Sequence, residues 1–179
     1  MYVISAETFL LWKKKQILKG GDPESLNLLI DLLGGLSNKD LNSLKIKSKK
    51  NITLEINLDL LESFWDKHLK DSTPIQYLSG ISYWRDLRLE VSNKVLIPRP
   101  ETELIIDVIS GKFKNSEEKI TFVDLGTGSG AISIALAVGN PNWNGIATDI
   151  DDNALKIASR NFINNSDQSN LIFFNGNWW

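Results

Sequence analysis

The sequence predicts an α+β chain in two parts: a bundle of short helices up to Gly80, then a β-hairpin leading into a parallel βαβαβ half-sheet. Three observations carry this. Apolar residues recur at helical spacing through the first 80 residues, broken by Gly20-Gly21 and Gly34-Gly35. Leu87, Leu89 and Val91 then alternate with polar residues, the period of a strand. Finally, the apolar run from Ile120 to Val123 meets Asp124, three glycines at alternating positions, and a helical stretch rich in small and apolar residues. Strand, glycine turn, helix is the opening of a βαβ unit.

Taken in order, Ser5 caps a first helix whose apolar residues are Phe9, Leu10, Trp12, Ile17 and Leu18, with Lys13–Lys15 in water. Asp22-Pro23 is an N-cap followed by proline at the first helical position, and Gly34-Gly35 ends the leucine-rich helix after it. Ser37, with Asp40 three residues on, caps a third helix. Asn57 caps a fourth, with Leu58, Leu61, Phe64, Trp65 and Leu69 on one stripe. His68 is the sole histidine and has no evident catalytic partner. The basic run Lys45–Lys50 reads as a solvated loop, the alternative being a contact with a nucleoprotein. Past Pro74 a helical turn closes at Ser79-Gly80, and strands Ile81–Trp84 and Leu87–Val91 form the hairpin. Pro98-Arg99-Pro100 is stiff and extended. Glu101 and Glu103 open a helix that ends at about Ser110–Gly111. The domains are therefore 1–80, a hairpin and proline-rich linker over 81–100, and 101–179.

Composition narrows the class. Apolar content of 42% with 23% charge is that of a globular protein. A net charge of −2 gives no global attraction to nucleic acid, and the absence of cysteine excludes disulfides, thiolate metal sites and a thiol nucleophile. No stretch reaches the ~18 apolar residues of a membrane span, and Lys13–Lys15 follow rather than precede the first apolar run, so a secretory signal is not expected. A cytoplasmic location is expected.

Two ligand classes use a glycine turn of this kind. Gly126, Gly128 and Ala131 fit the dinucleotide pattern G-x-G-x-x-G/A, in which a pyrophosphate sits on the helix N-terminus. With Asp124 and Gly130 the same residues fit D-x-G-x-G-x-G, which resembles the cofactor loop of S-adenosylmethionine-dependent methyltransferases. A carboxylate beside the turn repels a pyrophosphate and suits the ammonium end of S-adenosylmethionine, so Asp124 favours the second. A tight turn with no ligand is the remaining alternative. Asp149 ends the second strand about 20 residues further on, where an acid binds ribose hydroxyls in either class; the competing role, capping the next helix, falls better to Asp151 or Asp152. The helix 153–164 and the strand Leu171–Phe174 complete the half-sheet.

Pro74-Ile75-Gln76-Tyr77-Leu78-Ser79-Gly80, Leu96-Ile97-Pro98-Arg99-Pro100-Glu101-Thr102-Glu103 and Asp124–Gly130 together resemble the protein N5-glutamine methyltransferases that modify peptide-chain release factors. The proline-rich segment is the restrictive one; the glycine turn is shared by many methyltransferases. The resemblance implies that residues 101–179 are the first half of a Rossmann-like domain binding S-adenosylmethionine. Gly126, Thr127, Gly128, Ser129 and Gly130 would supply backbone to the cofactor, Asp149 would bind its ribose, and Trp178 would lie near its adenine. Asn177 stands where an acid is usual. The implied partner is a class I release factor, with no nucleic acid or membrane contact, and the helical part would engage that factor. The family's substrate motif Asn-Pro-Pro-Tyr does not occur: the five prolines include no Pro-Pro pair. The sequence therefore reads as the N-terminal part of a longer enzyme, inactive by itself. From other classes, a nicotinamide oxidoreductase domain and a non-catalytic partner-binding module remain as readings of the same turn and bundle.

Overall fold

The structure is a computed structural model describing residues 1–45, 50–113, 119–167 and 170–177. The chain divides into two compact units, Met1–Ser79 and Gly80–Trp179.

In the first unit, β1 (Tyr2–Ser5), α1 (Ala6–Leu18), α2 (Pro23–Gly34) and α3 (Asn38–Lys45) are followed by β2 (Asn51–Leu54), α4 (Leu58–Asp71) and the short α5 (Ile75–Ser79). The caps are those the sequence predicts: Ser5, Asp22 and Asn57 each accept the backbone N–H three residues on. Ser37 accepts from the Asp40 N–H and donates its hydroxyl to the Asp40 carboxylate at 2.7 Å. Gly35, left-handed at φ 70°, ends α2 by donating to Asp31 O. The all-helical expectation misses one feature. Tyr2–Ser5 and Asn51–Leu54 pair antiparallel, with Ile52 and Leu54 buried. The β-branched run and the alternation were present in the sequence, but 46 residues separate partners such as Ser5 and Asn51, so only tertiary packing brings them together. Phe9, Leu26, Leu29, Ile30, Leu61 and Trp65 fill this core. Trp65 donates its indole N–H to Gln16 O at 3.3 Å. His68 is half-buried, stacked on Trp65 and bonded through Nδ1 to Thr73 O, a packing role.

The second unit begins with the hairpin β3 (Ile81–Trp84) and β4 (Leu87–Glu90), paired in the register Ser82↔Leu89. A 3₁₀ turn (Pro100–Thr102) leads into α6 (Glu103–Phe113). Then follow β5 (Thr121–Leu125), α7 (Ala131–Gly139), β6 (Asn144–Asp149), α8 (Asp152–Asn165) and β7 (Leu171–Asn175). The helix α6 runs past Gly111, where the sequence reading ended it. A glycine inside a helix costs only about 1 kcal/mol, and Phe113 at its end packs edge-on against Trp143 at 6.0 Å. The hairpin belongs to the core of this unit: Trp84, Leu87 and Leu89 are buried with Ile106, Ile134, Trp143, Phe162 and Leu171.

Strands β5, β6 and β7 form a parallel sheet in that order. The register Val123↔Ile146↔Ile172 and Leu125↔Thr148↔Phe174 assigns these residues to one face. On that face Val123 is 55%, Leu125 51%, Ile172 49% and Phe174 54% exposed, so it is bare. The other face, with Phe122, Ala147, Leu171 and Phe173, packs into the core with residues of α7 and α8. Among the described residues no helix is long and apolar enough to cross a membrane.

Candidate nucleoside site

The parallel register aligns the carboxyl ends of all three strands. Leu125 is level with Thr148, and Asp149 with Asn175. In open α/β sheets this is where ligands bind. The turn from β5 into α7 is tied down on both sides. The N–H groups of Gly126 and Thr127 both donate to Thr148 O, at 2.9 and 2.8 Å, which holds the turn against the end of β6. Thr127 is buried and donates its hydroxyl to Asp124 Oδ2 at 2.7 Å, while sharing a second hydrogen bond with the Ser133 hydroxyl at 2.8 Å. The threonine expected in the site therefore turns its side chain inward, and Asp124 braces the turn through one of its two oxygens.

Gly128 and Gly130 differ in what surrounds them. Gly130 has φ 83°, and a Cβ there would stand 3.1 Å from Ala158 Cβ and 3.3 Å from its Cα. The missing side chain lets α7 start close against α8. Gly128 has φ 56°, and a Cβ there would meet nothing within 4 Å. Its open side is the approach a ligand needs.

Asp149 reaches back to the same turn. Its Oδ2 accepts the Gly128 N–H at 2.9 Å and its Oδ1 accepts the Asp151 N–H at 3.0 Å. A carboxylate has about four acceptor positions, so both oxygens keep capacity for a diol. The capping role falls to Asp151, whose side chain accepts from the Asn153 N–H. That bond is the first cause of a carboxyl held below its usual pKa. Gly176 N–H donates to Asp149 O at 3.1 Å, so the end of β7 lies beside the acid. Asn175 fixes that corner by donating to Ile150 O and to the Asp152 carboxylate. Trp178 lies outside the described residues, as does Trp179, and so do residues 46–49 of the basic run. Asn177 is described and exposed.

Thus Gly126, Thr127, Gly128, Ser129, Gly130 and Asp149 come together at one end of one sheet. Sequence reasoning missed Asn161. It is fully buried and binds the turn through Ser129 O at 2.8 Å. The signal was its place on the buried stripe Ala154, Ile157, Ala158, Asn161, Phe162, where a polar residue needs a reason.

The class of protein follows from comparison at this point. Residues 99–177, from the proline-rich segment to the end of the third parallel strand, match the family described as Ribosomal protein L11 methyltransferase (PrmA). The more extensive likeness is to proteins named Release factor glutamine methyltransferase. One from Prochlorococcus marinus is 40% identical over 176 residues, 98% of this chain and 60% of that protein. Another from Synechocystis is 34% identical over 185 residues, 98% of this chain and 61% of that protein. A third, from Gloeobacter violaceus, is 35% identical over 88% of this chain and 53% of that protein. The resemblance read from the three motifs is borne out: over nearly its whole length the chain is similar to proteins named release factor glutamine methyltransferase. It spans about 60% of the length of the first two.

Proposed function

We propose that this chain carries the cofactor half of an S-adenosylmethionine-dependent methyltransferase acting on the glutamine of the Gly-Gly-Gln motif of class I peptide-chain release factors. The observation that supports it best is the joining of the glycine turn to Asp149 through the Gly128 N–H, in a chain 40% identical over 176 residues to a release factor glutamine methyltransferase. The bare approach at Gly128 and the spare acceptor capacity of Asp149 suit a nucleoside with a free ribose diol. The N–H groups at the start of α7 have no acceptor within the helix and add a positive end.

When bound, the cofactor supplies an electrophilic methyl group on a sulfonium. The chain's own residues would hold and orient it: the backbone of Gly126–Gly130 at the turn and the Asp149 carboxylate on the ribose, with Trp178 assigned to the adenine. An amide nitrogen is a weak nucleophile, its lone pair being delocalised into the carbonyl. Acceptor groups that held and positioned its NH₂ would supply the acceleration by positioning and electrostatics, without a strong base. Those acceptors belong to an Asn-Pro-Pro-Tyr segment that this sequence does not contain. The helical unit engages the release factor.

The test is calorimetry of the chain, and of a version extended to the length of its relatives, with S-adenosylmethionine and with NAD. The extended protein is then assayed with labelled cofactor and a release factor carrying Gly-Gly-Gln or Gly-Gly-Ala. Binding of NAD in place of S-adenosylmethionine would replace this reading with an oxidoreductase domain, and equal labelling of both release factors would remove the assigned glutamine.

A further inference from the structure

We infer that Asn161 is a positioning residue for the glycine turn, clamping it to the hairpin. The inference rests on the proposed cofactor reading and names a residue that holds the loop without touching the ligand.

The geometry is a match of two repeats. Residues two apart in a strand lie about 6.7 Å apart, and residues four apart in a helix about 6 Å along its axis. Asn161 and Asn165 of α8 therefore meet Arg88 and Glu90 of β4 one for one. Asn165 Oδ1 accepts the Arg88 N–H at 3.1 Å and its amide donates to Arg88 O at 3.0 Å. Asn161 Oδ1 accepts the Glu90 N–H at 2.6 Å and its amide donates to Glu90 O at 3.0 Å. Each side chain treats the strand as a neighbouring peptide would.

The two amides differ in where the second Nδ2 hydrogen goes: Asn165 donates it within the helix, to Asn161 O at 2.8 Å, and Asn161 donates it to the turn. Its Nδ2 has two hydrogens, and besides Glu90 O it donates to Ser129 O at 2.8 Å, in the middle of the turn. The Ser129 carbonyl is thereby held inward, and with it the Gly130 N–H of the same peptide, which donates to Thr127 O at 2.9 Å and closes the turn. Gly130, one residue on, packs against Ala158, one turn before Asn161 on the same helix. The hairpin end of the clamp is itself anchored: Trp84 donates its indole N–H to Arg99 O at 2.9 Å. Asn161 thus joins the glycine turn to the element that carries the Pro98-Arg99-Pro100 segment.

Asn165 is the built-in control, since it makes the hairpin bonds without the turn bond. Asn161→Ala and Asn165→Ala are compared in the 179-residue chain by hydrogen exchange, with no ligand present. Loss of the Ser129 bond raises exchange at the amides of residues 128–131 by roughly tenfold in Asn161→Ala. Asn165→Ala leaves them within about twofold while lowering the melting temperature by a similar amount. Equal exchange in the two variants overturns the inference. A second measurement needs no variant: on titration of the extended wild-type protein with S-adenosylhomocysteine, the Asn161 side-chain amide resonances shift and those of Asn165 do not. Shifts of equal size at both, or at neither while the backbone of 126–130 shifts, also overturn it. Failure of the wild-type protein to bind the nucleoside counts against the proposed function, and the exchange comparison still decides the role of Asn161.

Discussion

Asp149 and Gly128 lie 21 residues apart in sequence and are joined by a 2.9 Å hydrogen bond from the glycine N–H to the carboxylate. The acid proposed to bind ribose thus also sets the position of the turn proposed to hold the rest of the nucleoside. Asp149→Ala is expected to weaken S-adenosylmethionine binding by roughly 1.5–3 kcal/mol, the range for a hydrogen bond to a charged group. Calorimetry on a binding-competent, extended form measures it. Unchanged affinity with a lowered melting temperature would leave Asp149 a structural brace only.

Gly128→Ala and Gly130→Ala are expected to diverge. Both put a side chain on a left-handed backbone, a cost of about 1–2 kcal/mol each. Only at Gly130 does the added methyl also press on the neighbouring helix, at Ala158. Thermal melts should therefore show the larger loss for Gly130→Ala. At Gly128 the methyl enters the open side of the turn, and cofactor affinity should fall while stability changes less. Equal affinity for wild type and Gly128→Ala would mean the ligand does not approach there.

The helical unit should carry a mild acid sensitivity at Glu62. Lys19 donates to it at 2.7 Å and Lys15 at 3.3 Å. The Lys19 hydrogen bond is the main cause of a carboxyl pulled down to about 2 from its ordinary 4.5. A depressed carboxyl stabilises the fold above its unfolded value, and that contribution fades as pH falls from about 4.5 through about 2. The pair is near the surface, so the effect is under about 1 kcal/mol and shrinks in salt. Thermal melts of wild type and Glu62→Gln should differ at pH 6 and converge near pH 2. A difference that grew on acidification would contradict the sign.

The bare face at Val123, Leu125, Ile172 and Phe174 should make the 179-residue chain bind a hydrophobic dye and self-associate. Val123→Lys with Phe174→Lys should reduce both, measured by fluorescence and sedimentation. Monomeric wild type with no dye binding would refute this. The same chain is expected to give no methyl transfer to a release factor, whereas an extension containing Asn-Pro-Pro-Tyr restores it. Robust transfer by residues 1–179 would place the catalytic groups among residues assigned here to structure.

Much of this was legible because the signals are local. Ser5, Asp22, Asn57 and Ser37 announce helix starts through their own side chains, and the spacing from Gly126 to Ala131 specifies a strand-to-helix turn. Asp149 was placed by its distance along a βαβ unit whose geometry is nearly invariant. What escaped was non-local. The pairing of Tyr2–Ser5 with Asn51–Leu54 depends on three helices folding between them. The turning inward of Thr127 depends on Ser133 and Asp124 being brought to it. Asn161 stood in plain view as a polar residue on an apolar stripe, but its partners at Glu90 and Ser129 are 71 and 32 residues away.

The paired asparagines of α8 have one more consequence. A two-stranded hairpin leaves its outer strand with unpaired peptide groups that would accept a strand from another molecule. Here the outward N–H and C=O of Arg88 and Glu90 are all spent on Asn161 and Asn165, and the Glu90 carboxylate is held by Arg160 at 2.8 Å. The helix closes the hairpin's edge as a third strand would, without offering a fresh edge of its own. Strand-addition aggregation is therefore blocked at β4, in contrast to the other edge strands of the described sheets, β1, β2, β3, β5 and β7.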